Sequence, residues 1–129
     1  MELDKFISEW TDDPAGVKEV FVEFKQLLES LDNTEIEFHA RPGVTYSMRG
    51  VKKGQDKWPL FTMVDVIDDD PSNRWLSVCF FGDCINDPDE LGDFVPGGLL
   101  GQDGHCFDAD DAESKEYIAA RIKEAHSNQ

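Results

Sequence analysis

Apolar residues recur at helical intervals through the first quarter of the chain, and the pattern then switches to alternation. Leu3, Phe6, Ile7 and Trp10 fall at i, i+3, i+4 and i+7, which predicts a short amphipathic helix over residues 2–10. Thr11-Asp12-Asp13-Pro14 resets the chain. Asp13 suits an N-cap and Pro14 the first helical position. Val17, Val20, Phe21, Phe24, Leu27, Leu28 and Leu31 then form one stripe, predicting a helix over about 14–31 packed by one face.

From Thr34 the period is two. Ile36, Phe38 and Ala40 alternate with Glu35, Glu37, His39 and Arg41, while Val44, Tyr46 and Met48 alternate with Thr45, Ser47 and Arg49. A three-residue connection, Arg41-Pro42-Gly43, pairs Ala40 with Val44 and Phe38 with Tyr46, and sets Glu35 opposite Arg49. Two more strands are expected at Trp58 to Ile67 and Arg74 to Phe81, joined by Asp68-Asp69-Asp70-Pro71-Ser72-Asn73. Both are apolar on alternate positions of either parity, so both faces need cover. The last helix is expected after Asp110, with Asp110 and Glu113 as a capping box and Ile118, Ile122 and Ala125 as its buried line.

The segment between the fourth strand and this helix resists such a reading. Residues 83–111 hold nine carboxylates and no lysine or arginine, yet also Ile85, Leu91, Phe94, Val95, Leu99, Leu100 and Phe107. An acidic tail without hydrophobes would be disordered; this one has something to bury. It is expected to be a long ordered loop, with Phe94, Leu99, Leu100 and Phe107 packed on the side of the sheet that the helices leave open. The fold class is thus a single α+β domain over residues 1–129. It has a four-stranded antiparallel meander, N-terminal helices and a C-terminal helix on one face, and the acidic loop over the other.

Charge narrows the partners. A formal net charge of −16 repels nucleic-acid phosphates and anionic lipid, and no apolar run approaches the ~20 residues of a membrane span. A basic protein or a small molecule is the expected partner, and the chain is expected to be a monomer or homodimer. Met1-Glu2-Leu3-Asp4-Lys5-Phe6 lacks the basic start and apolar core of a secretory signal. Cys79, Cys84 and Cys106 show no framework spacing. Both features point to a cytoplasmic protein with three free thiols.

Candidate chemistry is thin. Asp103, His105, Cys106 and Asp108 lie within six residues and are legitimate ligand types for zinc or iron, but their spacing matches no closed zinc site. Asp68-Asp69-Asp70 and Asp108-Ala109-Asp110-Asp111 look like calcium-loop fragments without the glycine and glutamate such loops need. Gly97-Gly98-Leu99-Leu100-Gly101 lacks the lysine of a phosphate loop and is surrounded by carboxylates. His105 beside Cys106 is a poor dyad, because adjacent side chains diverge. His39, with Glu37, Arg41 and Ser47 near it, is a second candidate for acid–base work.

In outline, a long first helix, an antiparallel sheet and a closing helix in an acidic chain is similar to frataxin-type iron-binding proteins. In that family the acids concentrate on the first helix and the first sheet edge, whereas here they lie in 83–111, and no motif matches residue by residue. The similarity is one of architecture, which does not fix function.

The expected function is a non-catalytic ligand- or protein-binding module without a cofactor. Its contacts are expected at Asp83, Asp87, Glu90 and Asp93 of the acidic segment and at His39 and Arg49 of the sheet beside it. The alternative is a zinc or iron protein, or a metal-dependent enzyme, using Asp103, His105, Cys106 and Asp108. A nucleic-acid mimic is a weaker rival, since the apolar content of the segment interrupts any regular charge lattice.

Overall fold

The structure, a computed structural model, describes residues 2–129. Three helices, α1 (Glu2–Glu9), α2 (Val17–Ser30) and α3 (Lys115–Ser127), pack on one face of an antiparallel sheet. Its six strands are β1 (Thr34–Arg41), β2 (Thr45–Lys52), β3 (Thr62–Ile67), β4 (Trp75–Phe81), β5 (Asp93–Leu99) and β6 (Gln102–Ala109). Their order is β1-β2-β3-β4-β6-β5. No helix among the described residues is long and apolar enough to cross a membrane.

The helix stripe holds: Val17, Val20, Phe21, Phe24 and Leu28 are buried. The start is later than the stripe suggested. Residues 13–16 form a turn closed by Gly16 N–H to Asp13 O, and Gly16 takes a left-handed conformation (φ 73°) before the helix begins. Asp13 still caps it, accepting from Val17 N–H and Lys18 N–H at 3.0 Å each. At the other end of the chain, Ile118, Ile122 and Ala125 are the buried line of α3. That helix starts after Ser114 rather than Asp110, because residues 110–114 spend a turn leaving β6.

The first hairpin keeps the expected faces with a different register. Ala40 pairs with Tyr46, Phe38 with Met48 and Glu37 with Arg49, and the connection is Pro42-Gly43-Val44. Moving the turn by one residue shifts every pair by two, so Ile36, Phe38, Tyr46 and Met48 still face the helices, while Val44 falls in the turn and is exposed. Gly43 (φ 82°) supplies the left-handed residue. Asp68 pins this turn from the next hairpin: it accepts Gly43 N–H at 2.8 Å and Arg74 Nε–H at 2.7 Å.

Four strands is a correction, because the acidic segment adds two more. β6 pairs with β4 from Leu76↔Ala109 to Phe81↔Gly104, and β5 lies outside β6 as an edge. The alternation of His105, Phe107 and Ala109 was present, but Gly104 before it and Asp108 within it disguised it. Phe107 faces the helices, edge-on to Phe80 and 6.0 Å from the Tyr117 ring, rather than the open side. Phe94 and Leu100 are exposed, and of the four residues expected to cover that side only Leu99 does so, fully buried beside Gly104 and Cys106.

The cysteine expectation is corrected too. Cys79 and Cys106 stand directly opposite each other on β4 and β6, with Cα atoms 4.1 Å apart, and form a disulfide. Cys84 is free and buried. With two of three thiols bridged, the cysteines no longer argue for a reducing compartment.

Candidate functional site at the open sheet face

Because side chains alternate, the strand positions that avoid the helices form rows across the open face. One row runs His39, Ser47, Asp65, Ser77, Asp108 through successive register pairs. The row beside it runs Glu37, Arg49, Met63, Cys79, Cys106, Asp93. All of the first row and half of the second are polar, on a sheet whose other face is the core.

The tip of the β5–β6 hairpin closes one side of this face. Leu99 pairs with Gln102 across a two-residue turn in which Leu100 (φ 51°) and Gly101 (φ 83°) are both left-handed, as a tight hairpin of this twist requires. A leucine in that conformation costs about 1–2 kcal/mol and is held there by the pairing on either side. Between Val95 and Leu99 the register shifts in a bulge, Pro96-Gly97-Gly98. Asp103 Oδ1 accepts Gly97 N–H within it at 3.2 Å. A Cβ on Gly98 would lie 2.2 Å from Val95 Cγ1, so a larger residue there requires Val95 to move.

Between the hairpin tip and β1–β3 lies a groove of about 500 Å³, lined by His39, Arg41, Ser47, Arg49, Met63 and Asp65 from the sheet and Gly98 and Leu100 from the tip. Arg49 Nε donates to Ser47 Oγ at 3.2 Å and Arg41 Nη2 to Thr45 Oγ1 at 3.5 Å. Burial pushes the Asp65 carboxyl above its ordinary range, against the opposing pull of the Ser47 hydroxyl and of Arg49 and Arg41. Its Oδ1 is buried without a hydrogen-bond partner among the described residues.

A second hollow, of about 360 Å³, lies on the acidic side. It is lined by Trp58, Phe81, Phe94, Asp83, Asp103, Gln102, His105 and Gly82. The Trp58 and Phe81 rings pack at 4.9 Å, and Lys57 Nζ rests 5.0 Å from the Trp58 centroid. Two aromatics, two carboxylates and an exposed phenylalanine suit a cation with an aliphatic stem.

The predicted contact residues therefore divide. His39 and Arg49 lie in or beside the groove, and Asp83 lines the hollow. Asp93 sits on the edge strand, near enough to Asp108 that burial and then the Asp93 and Asp110 carboxylates raise the Asp108 carboxyl. Glu90 is an exposed turn residue with φ 53°. Asp87 faces inward instead. It accepts from the Tyr117 hydroxyl, His105 Nε2 at 2.9 Å, Gly92 N–H at 2.8 Å and Leu91 N–H at 3.1 Å. Burial would raise its carboxyl, but these four donors outweigh burial and hold it well below the usual carboxylate range. Asp87 is the knot that ties the 85–92 connection to α3.

The four metal candidates do not converge. Strand alternation sends Asp103 and His105 to one side of β6 and Cys106 and Asp108 to the other. Asp103 holds the bulge, His105 binds Asp87, and Cys106 is in the disulfide. Among the described residues no three His, Cys, Asp or Glu side chains are placed to share a metal ion.

Sequence reasoning missed Asp65 and Trp58. Asp65 carried a readable signal: a lone charge between Val64 and Val66 in an otherwise apolar strand must face a polar environment or a ligand. Trp58 lay in what was expected to be strand, and its packing on Phe81 is a tertiary contact without a local signature. No protein-family model, curated protein sequence or solved structure matches the chain.

Proposed function

We propose that the protein is a non-catalytic binding module that takes a basic segment of another protein on the acidic side of the β5–β6 hairpin. The carrying observation is where the exposed apolar side chains lie. Phe94 (61% exposed) and Leu91 (56%) belong to the segment that carries nine carboxylates and no base, as does Leu100 (52%) on the groove side of the hairpin tip, while Val44 (49%) lies apart in the β1–β2 turn. Large apolar groups ringed by one sign of charge are the composition of an interaction surface, with aromatic anchors for affinity and charge for steering and selection. The Trp58–Phe94 hollow offers such an anchor point, and Lys57 already rests its ammonium on Trp58 there.

A fluorescent Lys/Arg-rich peptide titrated against the protein tests this reading by anisotropy. Binding is expected to weaken with salt and to fall roughly tenfold or more in Phe94→Ala, an exposed position where truncation leaves the fold intact. Affinity unchanged by Phe94→Ala, and abolished by modest salt alone, would reduce the effect to bulk charge and overturn the proposal.

A further inference from the structure

The groove between the hairpin tip and β1–β3 has the opposite chemistry to the acidic side, and we infer that it binds a small zwitterion of the α-amino-acid class. The ligand carboxylate would lie on Arg49 and Arg41, and its ammonium on Asp65. Three observations carry this.

First, Arg41 and Arg49 have no carboxylate within 4.0 Å among the described residues, in a chain with 28 acids and 12 bases. Each spends one N–H on a neighbouring hydroxyl and keeps the rest of its fork for an anion. Second, Asp65 Oδ1 is buried and lacks a donor, on the same stretch of sheet. A buried carboxylate oxygen without a donor is costly, and a ligand N–H supplies what the protein withholds. Third, Met63 and Leu100 add apolar wall, and a volume of about 500 Å³ suits a small metabolite rather than a polymer. A simple anion would satisfy the arginines and leave Asp65 Oδ1 without a donor, and an amine would do the reverse.

Isothermal titration calorimetry on the intact protein is the test, with free α-amino acids as probes and simple carboxylates, simple amines and inorganic phosphate as controls. At least one amino acid is expected to bind, with an affinity at least about tenfold above that of its deaminated or decarboxylated analogue. Arg49→Met should abolish binding. Asp65→Asn should erase the advantage over the deaminated analogue while leaving binding of that analogue unchanged. Amide shifts should concentrate at 39–49, 63–65 and 98–100, and melting temperatures of both variants verify that they fold. The inference is overturned if no amino acid binds at ~10 mM, if a simple carboxylate or phosphate binds as tightly, or if both variants bind like the parent. The site is separate from the basic-peptide surface. Arg49→Met leaves peptide binding intact and Phe94→Ala leaves amino-acid binding intact, so either proposal can fail alone.

Discussion

Arg74 donates Nε–H to Asp68 at 2.7 Å, with the two side chains 13% and 4% exposed, and its guanidinium lies 5.4–5.5 Å from the rings of Phe6, Trp10 and Tyr46. The pair therefore joins three things at once: α1 through the aromatics, the β3–β4 turn through Arg74, and the β1–β2 turn through Asp68 and Gly43. Removing one partner of a buried pair strands the other charge, and the expected loss for Arg74→Met is about 3–5 kcal/mol by urea denaturation. A loss below about 1 kcal/mol would mean that water reaches Asp68.

Asp87 predicts the acid limb of stability. Its folded carboxyl is held below its unfolded value, so the unfolded chain takes up the proton first as pH falls. The contribution is fully present above about pH 5 and is lost as pH drops through 4 and toward the folded value. The stability gap between the parent and Asp87→Asn should narrow steadily over that window in denaturation curves at fixed salt. A gap that stays constant with pH would place the effect in packing rather than ionisation.

Asp65 has the opposite sign. Its carboxyl is raised on folding, so ionisation costs stability, and that cost grows as pH rises from the unfolded value through the folded one and is complete above it. Asp65→Asn should raise the melting temperature at pH 7 and lose that advantage near pH 3. A lower melting temperature at neutral pH would show that the carboxylate is well satisfied in solution.

The disulfide is countable. Thiol titration in denaturant should find one thiol before reduction and three after. Cys79→Ser with Cys106→Ser is expected to cost about 2–4 kcal/mol, since the bridge closes a loop of 27 residues' separation in the unfolded chain. Three thiols without reductant would restore the reading made from cysteine spacing.

Core and surface aromatics should separate cleanly. Phe24→Ala is expected to cost about 3–5 kcal/mol, and Phe94→Ala to stay within about 0.5. Leu99→Ala, fully buried beside Cys106, should cost about 2–5 despite lying one residue from the exposed hairpin tip. Equal costs for Phe94 and Leu99 would mean that the hairpin packs differently.

What could be read from the chain follows from range of interaction. The α2 stripe, the Asp13 cap, the buried line of α3 and the inward faces of β1 and β2 are local periodicities, and each was legible. The β1–β2 register was off by two because a three-residue turn can sit at either of two positions without changing which side chains face in. The β5 and β6 strands were hidden because Gly97, Gly98, Gly104 and the aspartates have low strand propensity. Pairing of β6 with β4, and of β5 with β6, overrides it. Of the site, Arg49 and His39 were legible as polar strand positions. Asp87 read as surface because its four donors come from residues 4 to 30 positions away.

The two margins of the sheet are unlike, and this limits how copies of the protein can associate through their backbones. β1 presents eight consecutive residues in regular extension. β5 is broken at Pro96, which has no N–H to offer, and the Gly97 N–H is already consumed by Asp103. An endless cross-strand fibre needs each copy to offer a usable margin at both ends. Growth through β1 alone stops at a pair, and the bulge that shapes the hairpin tip leaves the β5 margin two backbone donors short of a regular edge.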